Sequence, residues 1–185
     1  IPGHWRRICG IDFGWTHPTA ACWLAHDADN DVIYVTDCYR QSRQPVAVHA
    51  SAIKARSTWI PIAWPHDGEN ETSAGESLKV QYLGEGLPML HERASYGDDV
   101  RGRSVEAGVQ DIYNRMVAGR LKIFSHLQVL FDEIRSYHRD DGKIVAEHDD
   151  AISAMRYGIM MLRYAALPPR ESSKQFVRHR SGAYA

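Results

Sequence analysis

A chain of 185 residues that is 44% hydrophobic and 24% charged has the composition of one globular domain of ordinary size, able to bury most of its apolar surface. No apolar run approaches the roughly 20 residues that cross a bilayer, so no membrane partner is expected, and a net charge of −1 gives no bulk case for nucleic acid. The three cysteines form no CxxC and are expected as buried thiols in a reducing compartment, while the ten histidines include no HExxH, which argues against a zinc hydrolase of that type.

The chain starts at Ile1 without Met and without a basic-then-apolar leader, and is expected to be an excised domain or processed fragment. Trp5 to Phe13 is predicted as a first strand, Thr19 to His26 as a second and Val32 to Tyr39 as a third, with Asp27 to Asp31 as a polar hairpin turn. Val46, His49, Ala50 and Ile53 recur at helical spacing after Pro45, a good first-turn residue. Trp59 to Trp64 reads as a short strand despite Pro61, and Thr72 to Gly84 as a helix. Ser104 to Gly119 places Val105, Val109, Ile112, Tyr113 and Met116 on one helical face, with Gly119 as a stop. Leu121 to Phe124 is predicted as a strand, Leu127 to Tyr137 as a helix, and Tyr137 to Val145 as a hairpin turned on Asp141-Gly142. The last helix is predicted over Asp149 to Ala165 and stops before Pro168-Pro169. Residues 168–185 are expected as a flexible basic tail. Three strands followed by alternating helices and strands describe a mixed-sheet α/β domain.

The chemistry lies in three acidic points. Asp12 ends the apolar run Ile8-Cys9-Gly10-Ile11, Asp67 follows Trp64-Pro65-His66, and His148-Asp149-Asp150 opens the last helix. Taken singly, each has a plainer role: a turn acceptor before Gly14, a turn pair with Gly68, and an N-cap with a partner for the helix dipole. Together they suit a divalent-metal site for phosphate-ester hydrolysis, in which two ions about 3.5–4 Å apart serve the attacking water and the leaving oxygen. Oxygen donors favour Mg²⁺ or Mn²⁺ over zinc. Asp12 is the expected bridging ligand, because a strand end fixes its position.

The segments Gly10-Ile11-Asp12-Phe13-Gly14, Trp64-Pro65-His66-Asp67-Gly68 and His148-Asp149-Asp150-Ala151-Ile152-Ser153-Ala154-Met155-Arg156-Tyr157-Gly158 together resemble the nuclease domain of the large terminase subunit of tailed double-stranded DNA phages. The stretch Arg103 to Val109 is similar to that family too, and the resemblance covers about residues 6–165. It implies an RNase H-like fold with a central five-stranded mixed sheet over residues 1–167. It also implies a metal-dependent endonuclease that cuts concatemeric viral DNA at the start and end of packaging. In the family this domain follows an N-terminal ATPase motor, and the expected partners are double-stranded DNA, that motor, the portal protein and the small terminase subunit, in the host cytoplasm. No GxxxxGK[ST] occurs, so no ATPase activity is expected of this chain.

The resemblance carries over cleanly for Asp12 and Asp67. Ser153 stands where many relatives have a further Asp, so Asp149 and Asp150 must share that role; Asp150 is expected as the direct ligand, Asp149 as second ligand or cap, and His148 as an orienting neighbour. Arg101, Arg103, Arg139 and Lys143 are the expected phosphate contacts. Rival readings are another RNase H-like nuclease of resolvase or transposase type, and a non-catalytic DNA- or portal-binding module.

Overall fold

The computed structural model describes residues 1–71, 75–96, 105–141, 143–145 and 148–169. β1 (Arg6–Asp12), β2 (Thr19–Asp27) and β3 (Val32–Gln41) form an antiparallel meander. α1 (Val46–Lys54) leads to β4 (Ile62–Ala63), which pairs parallel with β1; β5 (Leu121–Ile123) pairs parallel with β3. The sheet order is β4-β1-β2-β3-β5, the expected five-stranded mixed sheet. β2 runs through its middle, and its almost wholly buried sequence Thr-Ala-Ala-Cys-Trp-Leu-Ala is what a strand covered on both faces requires.

Side-chain alternation divides the core in two. On one face Ile8, Ala20, Cys22 and Leu24 pack under α3 (Val105–Val117), α4 (Gln128–Ser136) and α5 (Asp150–Met160). On the other, Cys9, Ile11, Ala21 and Trp23 meet α1, Trp64 and Tyr82 of α2 (Leu78–Gly84). The period of two that sends Ile8 and Gly10 toward α5 also places Asp12 on that face.

Gly10 sets the distance between β1 and α5. A Cβ there would overlap the Ala154 carbonyl and stand 2.6 Å from the Gly158 nitrogen, so only glycine lets the helix lie against the strand. Three element boundaries differ from expectation by more than two residues. The strand around Trp59 to Trp64 shrinks to two residues, because Pro61 has no N–H to give to a ladder. α2 begins at Leu78, where the Ser77 side chain accepts from the Val80 N–H; residues 72–74 lie outside the described part. α5 stops at Met160 and tightens into a 3-10 turn over Leu162–Tyr164. β6 (Arg139–Asp140) and β7 (Lys143–Ile144) make the predicted hairpin, with Asp141 at φ 45° in its turn. Cys9 and Cys22 are buried, Cys38 is half-buried, and all three are free. No described helix is long and apolar enough to cross a membrane.

Candidate metal centre

Asp12 stands at the last position of β1, opposite Ala20 of β2. The chain leaves the strand through a loop closed by Thr19, whose hydroxyl donates to the Gly14 carbonyl at 2.9 Å and accepts from the Gly14 N–H at 3.2 Å. Asp67 sits in the 3-10 turn His66–Glu69 that follows β4, rather than at a strand end. That turn is seated by Gly68: a Cβ there would come 2.7 Å from the Trp64 ring and 2.8 Å from the ring of Phe13, the residue after Asp12. The adjacent strands β1 and β4 therefore deliver two carboxylates to one end of the sheet.

Asp149 is the N-cap residue of α5 and Asp150 its first helical residue. The Asp149 side chain caps no backbone N–H, contrary to the simplest reading of its position; its Oδ2 accepts from the Ser153 hydroxyl at 3.3 Å. The free helix N–H groups are served instead by Glu133 of α4, whose Oε2 accepts from Ala151 at 2.8 Å and Ile152 at 2.9 Å.

Asp150, expected as the direct ligand, has one of its carboxylate oxygens engaged by an arginine. Arg40 of β3 donates to its Oδ2 through Nε at 3.0 Å and Nη2 at 2.8 Å, and Arg40 Nε lies 3.2 Å from Glu133 Oε1. Asp150 and Glu133 are 6% and 4% exposed, so this is a buried ion network that locks the start of α5. Desolvation pushes the Glu133 carboxyl up to about 7, with the two backbone N–H groups and Arg40 pulling against it. Neither Arg40 nor Glu133 was singled out from sequence: the Arg40–Asp150 contact spans 110 residues and no local pattern announces it.

Asp12 feels the other three aspartates. Burial raises the Asp12 carboxyl well above the usual carboxylate range; Asp67 adds to the rise, Arg156 opposes it, and Asp150 and Asp149 add again. Asp67 Oδ1 is buried with no hydrogen-bond partner among the described residues. A desolvated carboxylate oxygen left without a donor, beside a second carboxyl held at unfavourable charge, fits a hard divalent cation. The donors do not form a closed cage: among the described residues no three His, Cys, Asp or Glu side chains converge on one point. A cavity of ≈ 720 Å³, walled by Phe13, Trp15, His49 and Tyr82, opens beside Asp67.

The other expected site residues are scattered. His148 is exposed at φ 56°, a left-handed turn position that histidine tolerates better than most, and lines a hollow with Arg40 and Glu133. Arg139 is gripped by both Glu106 oxygens at 3.1 and 2.6 Å, which ties the hairpin to α3. Arg101, Arg103, the Lys143 side chain and residues 170–185 lie outside the described part.

With this geometry in hand, known proteins supply a match. The model of the family described as "Terminase RNaseH-like domain" matches residues 9–162. The large terminase subunit of Salmonella phage P22 is 42% identical over 168 residues, 90% of this chain and 33% of that protein; that of Enterobacteria phage LP7 is 42% identical over 162 residues, 86% of this chain and 34% of that protein. The chain thus spans about a third of the length of these relatives. The solved P22 large terminase nuclease domain superposes with a TM-score of 0.83 at 41% identity, covering 90% of this chain and 86% of that one. The nuclease domain of the phage SPP1 large terminase, solved with bound Mn, shares the fold at a TM-score of 0.62 and 19% identity, over 84% of this chain and 86% of that one. The chain belongs to the terminase RNase H-like domain family, with the mixed five-stranded sheet that the name describes.

Proposed function

We propose that this chain is the endonuclease domain of a viral genome-packaging terminase. It cuts concatemeric double-stranded DNA at the initiation and termination of packaging, in the host cytoplasm, through two divalent ions, Mg²⁺ or Mn²⁺. The observation that carries the reading is that the buried Asp12 carboxyl is raised further by the charges of Asp67, Asp150 and Asp149, with Asp67 Oδ1 unpartnered among the described residues. Identity to P22 and LP7 terminases over most of this chain supports the packaging context, and the ATPase motor, portal protein and small terminase subunit are the partners proposed with it. Residues 1–167 are proposed as the nuclease domain and 168–185 as a basic tail.

Asp12, Asp67 and Asp149 would hold the ions, with Asp149 rather than Asp150 as the ligand from α5. Asp150 has its Oδ2 committed to Arg40, whereas the Asp149 carboxylate accepts from no cation among the described residues, its Oδ2 taking the Ser153 hydroxyl. Bound divalent ions supply Lewis acidity toward the phosphodiester and lower the cost of the nucleophile and leaving oxygen. The chain's own contribution is placement. β1 and β4 fix two carboxylates, Glu133 and Arg40 anchor the start of α5, and Ser153 orients the Asp149 side chain.

Supercoiled plasmid incubated with Mn²⁺ or Mg²⁺ tests this. The parent protein should nick and linearise it, EDTA should stop the reaction, and Asp12→Asn and Asp149→Asn should each lower the rate by at least about a hundredfold, as expected when a charged metal ligand becomes a neutral amide. A folded parent that leaves the plasmid intact in both metals would reduce the domain to a binding module.

A further inference from the structure

Arg156 is 5% exposed, yet no described carboxylate pairs with it. Among the described residues its donors meet neutral partners alone: the Ser153 hydroxyl at 3.5 Å, the Met160 sulfur at 4.0 Å and the Tyr157 side chain, whose ring centroid lies 4.4 Å from the guanidinium. A buried cation with partners this poor is costly, because the water it gave up is not replaced. Around it is a hollow of ≈ 330 Å³, lined also by His66, Arg93 and Tyr157. Arg93 holds Glu69 through Nη1 at 2.6 Å and keeps its other donors. His66 immediately precedes Asp67, and Arg156 is near enough to Asp12 to pull its carboxyl down.

Resting on the nuclease reading above, we propose that this hollow is a phosphate subsite: Arg156, with Arg93 and His66, grips a backbone phosphodiester adjacent to the one being cut. A planar guanidinium presents two parallel donors to a phosphate, which an ammonium does not. α5 carries Asp149 at its start and Arg156 within it, so one rigid element sets the spacing between the metal-side carboxylate and the phosphate clamp. Ser153 touches both, accepting from Arg156 and donating to Asp149. Sequence alone singled out neither Arg156 nor Arg93 as a DNA contact.

The test is binding of a fluorescein-labelled DNA duplex in Ca²⁺, measured by anisotropy across a salt series, for the parent, Arg156→Gln, Arg156→Lys, Arg93→Gln and Asp12→Asn. Arg156→Gln should raise Kd about tenfold, as for a lost charge-assisted hydrogen bond, and reduce the slope of log K against log salt by about one. Arg156→Lys should restore the slope but not the full affinity, and Arg93→Gln should act in the same direction more weakly. Crystals soaked in tungstate should show the anion within hydrogen-bonding reach of Arg156 and Arg93. Parent-like Kd and slope in Arg156→Gln and Arg93→Gln overturn the subsite; if Arg156→Gln does not fold, Arg93→Gln and the tungstate soak decide. A parent that binds through Arg156 but cuts nothing in Mn²⁺ would defeat the nuclease reading and leave the subsite standing. Cutting abolished by Asp12→Asn, with binding indifferent to Arg156, would do the reverse.

Discussion

Asp12 is held at a cost. Its carboxyl is desolvated and faces three others, with Arg156 offsetting only part of the repulsion. In the folded protein it therefore takes up its proton at a higher pH than in the unfolded chain. The penalty is absent below the unfolded carboxylate range, grows as pH rises toward the folded pKa and is complete above it. Asp12→Asn removes that penalty. Chemical denaturation should show the variant more stable than the parent at neutral pH, with the difference vanishing below the unfolded carboxylate range. A variant less stable than the parent at neutral pH would mean that Arg156 depends on Asp12 more than Asp12 suffers from its neighbours.

Between elements, the contact that matters is β1 against α5, since it sets where Asp12 stands relative to Asp149. Glycine makes it possible from both sides. At Gly10 a Cβ meets the Ala154 carbonyl, which is helix backbone and cannot yield. At Gly158 it meets Leu24 Cδ1 at 2.7 Å, the end of a side chain that can rotate, and the Gly10 nitrogen at 3.3 Å. Gly10→Ala should therefore cost at least about 3 kcal/mol and displace the helix. Gly158→Ala should cost about 1 kcal/mol, partly offset by alanine's better helix propensity. Urea denaturation of the two variants checks the order; equal losses would show that α5 is free to shift as a body. Glu133 and Arg40 secure the same helix from its N-terminal end, so its position is fixed at two places.

For the molecule as a whole, the lack of a closed three-ligand cage among the described residues has a consequence for metal binding. Bringing oxygens onto an ion works against their mutual repulsion, and the ion then removes it, so binding and stability are linked. Mn²⁺ at about a hundredfold its dissociation constant should stabilise the parent by about 2.7 kcal/mol, seen as a rise in Tm. Asp12→Asn should show little of that rise. An equal rise in both proteins would place the ion elsewhere. With a net charge near zero, the DNA binding proposed for the chain would come from local features such as Arg156 rather than from the overall field.

The strands, the helices and the three acidic points were readable along the chain because each rests on local chemistry. Alternating apolar residues make strands, the 3.6-residue recurrence makes helices, and an aspartate after a buried run or before a helix is visible in a few residues. The packing that makes Gly10 obligatory is not local, nor is the Arg40–Glu133–Asp150 network, the Ser153 link to Asp149 or the poor partnering of Arg156. These depend on which side chains meet across β1, β3, α4 and α5. Asp149 and Asp150 are indistinguishable as neighbours in a sequence. Only the fold, by placing Arg40 against one and Ser153 against the other, gave the two carboxylates different partners.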